Sequence, residues 1–433
     1  MLERLDLRGR GPNLRGLLPR PNLADEGPAA EVRAIVDDVR ARGDAALREY
    51  TLRFDGVDID DFRVPASEIA RARDRLDPAL LAALAEAASV IESFHRHRAA
   101  NPGTFERNGI AVDLLELAVE RVGVYVPGGL ARYPSSVLMT GIPARVAGVG
   151  GIALCSPPAP GGAIPAEVLA AASLAGIDEV YRLGGAQAIA ALAYGTATIG
   201  RVDVIVGAGS RWVSLAKREV RGAVGMPASF AGPSEVVVIA DETVPVEFVA
   251  IDLVVQAEHG PDGLAWLITW SEAVLTAVTD AVAGFVETSP RRAEIEATLA
   301  GGGYAVLVDG PEAAMAVANE IAPEHLELCC EDPQALLPLV RNAGAVFLGP
   351  YAPASLGDYL AGPSHVLPTF GSARYSSALG VEDFLRRVHV ISADRAALTR
   401  VADHVAAIAT AEGLSAHARS VILRSEQEKP VAE

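Results

Sequence analysis

Gln256 and His259 stand three residues apart at the end of the run Ile251-Asp252-Leu253-Val254-Val255, just before Gly260-Pro261. The run reads as a helix that stops at that Gly-Pro, and side chains three apart share a helical face. A neutral imidazole beside an amide oxygen can hold a divalent metal or a polar ligand. Zinc usually takes four ligands, so the pair is half a shell and other segments must supply the rest. Asp358 lies in Leu356-Gly-Asp-Tyr-Leu-Ala-Gly-Pro-Ser-His365. It is a candidate partner, although Asp in a Gly-rich segment is also the ordinary choice for a turn or cap. His417, in Glu412-Gly-Leu-Ser-Ala-His417, is another, and reads equally as a surface or packing residue. Glu324 and His325 follow Pro323. A carboxylate and an imidazole that point different ways can serve two proton transfers in one site. The same pair also suits a helix start, where a carboxylate favours the dipole.

Three glycine-rich segments follow β-branched runs: Tyr125-Val-Pro-Gly-Gly129, Gly184-Gly-Ala-Gln187 and Gly207-Ala-Gly-Ser210. Ligands of open α/β sheets bind outside the carboxyl ends of the strands, where glycine lets the backbone approach them and a helix N-terminus attracts phosphate. Each loop alone suits a tight turn, and Trp212 stands where a dinucleotide fingerprint has its third glycine. Three at one sheet edge point to a nucleotide site. Gly148-Val-Gly-Gly151 is excluded because it joins a helix to a strand. Ser234 sits in Phe230-Ala-Gly-Pro-Ser-Glu235 and reads as a turn residue. His95, His97 and His404 read as solvated helix faces.

The elements that must position these groups alternate from about residue 120. Apolar runs at 122–126, 151–155, 179–183 and 202–206 read as strands, with helices at 134–147, 164–175, 186–194 and 211–219. A second set follows, with strands at 235–240, 265–269, 304–308 and 345–348 and helices near 246–259, 271–287, 311–321 and 333–342. Such alternation predicts parallel, doubly wound α/β sheets. Periodicity predicts helices at 28–50 and 77–98. Residues 1–25 are polar and Pro/Gly-rich, an arm rather than a core segment, and the tail from about 380 reads as mostly helical (381–385, 396–411, 417–425).

The chain has 433 residues, half of them hydrophobic, and a net charge of -18. That charge argues against a phosphate-neutralising face, hence against nucleic-acid binding. Three cysteines, two of them adjacent, make neither a disulfide framework nor a thiolate zinc site. The charged N-terminus has no apolar signal region, and no apolar run suggests a membrane span. The expectation is a cytoplasmic protein.

Eight segments then occur in one order: Tyr125-Val-Pro-Gly-Gly, Tyr133-Pro-Ser-Ser-Val-Leu-Met, Gly184-Gly-Ala-Gln-Ala-Ile-Ala, Ala231-Gly-Pro-Ser-Glu, Gln256-Ala-Glu-His, Glu324-His-Leu-Glu, Leu356-Gly-Asp-Tyr and Ala411-Glu-Gly-Leu-Ser-Ala-His417. Together they closely resemble histidinol dehydrogenase, over about residues 30 to 420. The resemblance implies a zinc- and NAD-dependent homodimer that oxidises L-histidinol through L-histidinal to L-histidine with two NAD. It implies Gln256, His259, Asp358 and His417 as ligands of one zinc per subunit, holding substrate rather than activating water. His325 would take the alcohol proton and Glu324 would activate water. Ser234, Gln256, His259, His325, Asp358, Glu412 and His417 would contact substrate, and Tyr125 and Gln187 would contact NAD. Ser210 stands where the family usually has an Asn that contacts NAD, in Gly-Ala-Gly-Ser rather than Gly-Pro-Gly-Asn. The lead-in Val224–Phe230 is longer than usual and lacks a common Asp.

The expected plan is α/β with two Rossmann-like parallel-sheet domains. An arm spans 1–25. A discontinuous domain of 26–121 and 236–379 holds most zinc and acid/base residues. An inserted nucleotide-binding domain spans 122–235, and a helical tail, 380–433, crosses to the second subunit. The partners expected are a small-molecule substrate and a second copy of the chain, with neither nucleic acid nor membrane. Two other readings compete: a related zinc- and NAD-dependent dehydrogenase of another small polar alcohol, and a non-catalytic binding protein on the same scaffold. The latter has no use for both Glu324 and His325.

Overall fold

The computed structural model describes residues 2–11, 14, 16–19, 27–98, 104–128, 132–227, 234–258, 260 and 263–426. In chain order the strands are β1 (Glu3–Asp6), β2 (Phe105–Arg107), β3 (Ile110–Ala118), β4 (Arg121–Tyr125), β5 (Gly151–Ser156), β6 (Glu179–Arg182), β7 (Val204–Val206), β8 (Glu235–Ala240), β9 (Leu264–Thr269), β10 (Gly303–Leu307), β11 (His325–Cys329), β12 (Ala345–Leu348) and β13 (Leu385–Ala393). The chain forms two compact units, Met1–Arg98 with Val119–Phe384, and Ala99–Ala118 with Leu385–Glu433.

The first unit contains two parallel sheets, as strand–helix alternation predicts. One has the order β6-β5-β4-β7 and the other β1-β10-β9-β8-β11-β12. Parallel crossovers put helices on both faces, so the strands bury both of theirs. In β8, Val236, Val238 and Ala240 enter one core while Val237 and Ile239 enter the other. Helices Val246–Ala257 and Glu272–Thr288 cover the first face, and Pro311–Ile321 covers the second. The apolar residues of helices Ala29–Arg42 and Asp44–Asp55 join the core on one side of the four-stranded sheet, with Gly185–Tyr194. Among the described residues no helix is long and apolar enough to cross a membrane.

Several expectations change. The single helix at 28–50 is two, split at Gly43, whose φ of 56° only glycine adopts easily. Part of the segment expected as an arm is core structure. Residues Glu3–Asp6 pair in parallel with β10, and Leu2, Leu14 and Leu18 are buried. An edge strand of four residues, three of them charged, carries little apolar signal. The alternation does not announce helix Arg292–Gly302 or strand β11, and 333–342 is one short helix and a 3-10 turn. His95 is 2% exposed, not solvated, and packs edge-on against Phe94.

The second unit is a three-stranded antiparallel sheet, β13-β3-β2, with helices Arg395–Ala411 and Ser415–Glu426. Its helices agree with the expected tail. The long strand β13, paired with β3 from Leu385↔Ala118 to Ala393↔Ile110, does not. Arg386, Arg387 and His389 mask its alternation. Arg387 pairs with Glu116 across the sheet at 2.9 Å.

Candidate active site

Glu324 and His325 do not start a helix. Helix Pro311–Ile321 ends at Ala322, a non-glycine residue held at φ 51°, and Pro323 and Glu324 lead straight into β11. The pair therefore stands at the amino edge of the six-stranded sheet, opposite to the carboxyl-edge rule for open sheets. Gly344 makes room there, because a Cβ would come within 2.6 Å of the Glu324 carbonyl.

The backbone of Glu235 fixes both side chains. Its N–H donates to Glu324 Oε2 at 3.0 Å, and its carbonyl lies 3.1 Å from His325 Nδ1. That contact assigns the proton of a neutral imidazole to Nδ1 and leaves the Nε2 lone pair free. Nε2 stands 3.7 Å from Asp358 Oδ1, while Nδ1 stands 3.6 Å from Glu324 Oε2. Both residues are buried. Burial pushes the Glu324 carboxyl up to about 7, against the His325 charge, the Glu235 N–H and the Ser234 hydroxyl, which favour the ionised form. Burial alone would depress His325, but Glu324 and Asp358 outweigh it and raise it to about 9.

Asp358 is in the short helix Ala354–Tyr359, not in a loop. Three contacts place it. Glu327, fully buried two residues beyond His325, accepts the Ala354 N–H at 2.8 Å. His365 puts Nδ1 3.0 Å from the Asp358 carbonyl and Nε2 3.1 Å from Ser136 Oγ. A Cβ on Gly357 would meet Phe347, whose ring is 5.9 Å from that of His325. Burial and the neighbouring Asp252 hold Glu327 well above the usual carboxylate range. Asp252 sits one turn before Gln256 on helix Val246–Ala257.

Gln256 is 3% exposed, and its Nε2 position has no hydrogen-bond partner. Amide O and N are interchangeable in such an assignment, so this orphaned position suits an amide oxygen directed at a cation. His259 lies outside the described residues. Glu412 and His417 belong to the second unit, where both are exposed. Among the described residues no three His, Cys, Asp or Glu side chains gather as a metal group. The structure thus brings together Ser234, Glu324, His325 and Asp358.

The glycine-rich loops lie at the other sheet. From β4 the chain proceeds to β5 and β6 on one side, then β7 pairs on the other. The carboxyl ends of β4 and β7 therefore border a topological switch point, the usual ligand crevice of such sheets. Tyr125 ends β4, buried, and its hydroxyl accepts the Gly185 N–H at 3.1 Å. Gln187 is buried two residues further on, with Oε1 unpartnered. Gly207 follows β7 at φ 103°, and a Cβ there would lie 2.0 Å from the Tyr125 carbonyl oxygen. Ser210 is exposed at the N-terminus of helix Arg211–Glu219, and its side chain caps nothing. Glycine cradle, unpartnered amide oxygen and helix N-terminus all fit a nucleotide.

Sequence reasoning missed Glu327, His365 and Lys217. Glu327 shares a strand face with His325 at spacing two, a signal hidden because the polar residues of β11 break its apolar run. His365 was part of a quoted segment. Lys217 reads as a solvated helix end.

The fold and these sites define an α/β enzyme with a buried carboxylate–imidazole pair at one parallel sheet and a glycine-lined crevice at the other. The family model for histidinol dehydrogenase matches residues 18–425. A histidinol dehydrogenase from Synechococcus sp. is 49% identical over 400 residues, covering 92% of each chain. One from Listeria innocua is 47% identical over 92% of this chain and 93% of its own. A crystal structure of histidinol dehydrogenase from Elizabethkingia anophelis superposes with a TM-score of 0.93 at 35% identity, covering 98% of each chain. The chain belongs to the histidinol dehydrogenase family.

Proposed function

We propose that the protein oxidises L-histidinol through L-histidinal to L-histidine, the closing oxidations of histidine biosynthesis, with two NAD per substrate. The observation that carries this reading is the buried Glu324–His325 pair, oriented by one backbone unit and facing Asp358, in a chain of this family. When bound, zinc supplies a fixed charge that holds the substrate, and the dinucleotide supplies a hydride acceptor.

The chain's own residues do the rest. His325 takes the hydroxyl proton at Nε2, since hydride can leave carbon only as charge builds on oxygen. A cation on Asp358 would cancel part of the charge that raises His325, and so return the imidazole toward a base's range. Glu324, near 7, takes a proton from water as it adds to the aldehyde, and the second hydride then leaves a carboxylate. Ser234 steadies Glu324 and contacts substrate.

Gln256, His259 and Asp358, with His417, form the proposed zinc set; Glu412 joins the same substrate site. Tyr125, Gln187 and Ser210 form the proposed NAD site in a Rossmann-like domain at 122–235. The second unit supports a homodimer. Leu115, Val388, Val390, Ile391, Ile408, Leu414 and Leu423 stand exposed there, more apolar surface than so small a unit leaves wet. In this reading the tail lends Glu412 and His417 to a second copy. A cytoplasmic location belongs to the same reading and rests on three unpaired cysteines.

The test is an assay of NAD reduction. L-Histidinol should drive the release of two NADH per molecule, lost on chelation and restored by zinc. A clear preference for a non-imidazole alcohol would favour the alternative dehydrogenase, which Ser210 and the long lead-in Val224–Phe230 motivate.

A further inference from the structure

Lys217 lies in helix Arg211–Glu219 and is 4% exposed. Among the described residues its side chain has one hydrogen-bond partner, the carbonyl of Gly207, to which the ammonium donates. Among the described residues no carboxylate acts on it, and burial pulls it down to about 8. A buried amine with no counter-ion among the described residues is an expensive way to tie down one carbonyl. Its position gives it a purpose. Gly207 backs onto the Tyr125 carbonyl with no room for a Cβ, and the Tyr125 hydroxyl accepts the Gly185 N–H, at the start of the helix that bears Gln187. The three glycine-rich loops are thus wired in one chain, and Lys217 anchors its end. Its charge also lies beneath a glycine loop that an anionic group can approach closely.

We propose that Lys217 is a positioning residue for the dinucleotide: it clamps Gly207 from beneath, sets the Gly207–Ser210 loop, and presents a fixed positive charge to the bound pyrophosphate. The proposal rests on the NAD-site reading given above. No contact of Lys217 with substrate is required, so its effect must separate NAD from histidinol.

The experiment titrates NAD into full-length, zinc-loaded Lys217→Met, Gln187→Ala and parent protein, and measures KM for both substrates. In Lys217→Met the Kd for NAD should rise about tenfold or more, roughly the effect of losing one charge-assisted contact, with KM for histidinol within about twofold. If Gln187→Ala weakens NAD binding and Lys217→Met leaves it within about twofold, the proposal is overturned and the site reading stands. If neither variant weakens it, both fall. An equal rise in the two KM values also overturns the proposal, since it marks general damage. Should Lys217→Met not fold, hydrogen exchange on the parent decides. Slow exchange at 207–210 without NAD, slowed further by NAD, supports the clamp, whereas free exchange without NAD overturns it.

Discussion

Lys217→Met should strengthen the fold at neutral pH even as it weakens cofactor binding. Lys217 sits at about 8 in the folded chain against 10.5 unfolded. The unfolded chain therefore takes up the proton first as pH falls. The penalty is absent above about 10.5, grows between there and about 8, and is complete below. Holding the ammonium at about 8 rather than 10.5 costs the fold about 3 kcal/mol. Methionine fills a similar volume without charge, but leaves the Gly207 carbonyl without its donor, a loss of about 1 kcal/mol. The variant should gain about 2 kcal/mol at pH 7, and the gain should shrink through pH 8 and reverse near pH 10. Urea unfolding of parent and variant at intervals from about pH 6 to about pH 10 measures this directly. A variant that is weaker than the parent at neutral pH, by a gap that does not change with pH, would refute the reasoning.

His365→Leu removes the contact on the Asp358 carbonyl. Zinc affinity should fall about tenfold or more, the usual effect of losing an outer-shell partner, read by competition with a chelator; unchanged affinity would contradict the role. Gly207→Ala must adopt φ 103° and meet the Tyr125 carbonyl, so it should destabilise the chain by about 2 kcal/mol or more. A thermal midpoint equal to the parent's would count against the packing described at the switch point.

Much of the architecture was legible because buried parallel strands are apolar on both faces. Val236–Ala240 and Ala265–Thr269 announce themselves. Strand β11 did not, since His325 and Glu327 point into the site and break the apolar run. The same fact makes Glu324-His325 readable as chemistry and unreadable as structure. What sets their behaviour is nonlocal: the Glu235 backbone arrives from about ninety residues earlier, and no spacing rule links them. Lys217 was hidden differently. Lys-Arg-Glu at a helix end reads as solvated, and only the packing of the loop over it shows a buried amine. His365 shows the limit from the other side, a residue whose motif was noticed but whose contacts with Asp358 and Ser136 needed the fold.

In the proposed reaction two adjacent side chains divide the labour: His325 serves the alcohol step and Glu324 the hydration of the aldehyde. Glu324→Gln keeps the shape and an acceptor for the Glu235 N–H but is a poor base. Complete oxidation should slow by about 10²–10⁴-fold, while the first hydride transfer survives. The direct measurement is the ratio of NADH formed to histidinol consumed, with an amine reagent trapping free aldehyde. The ratio should fall from two toward one, with aldehyde accumulating. A ratio that stays at two, at the parent's rate, would contradict it.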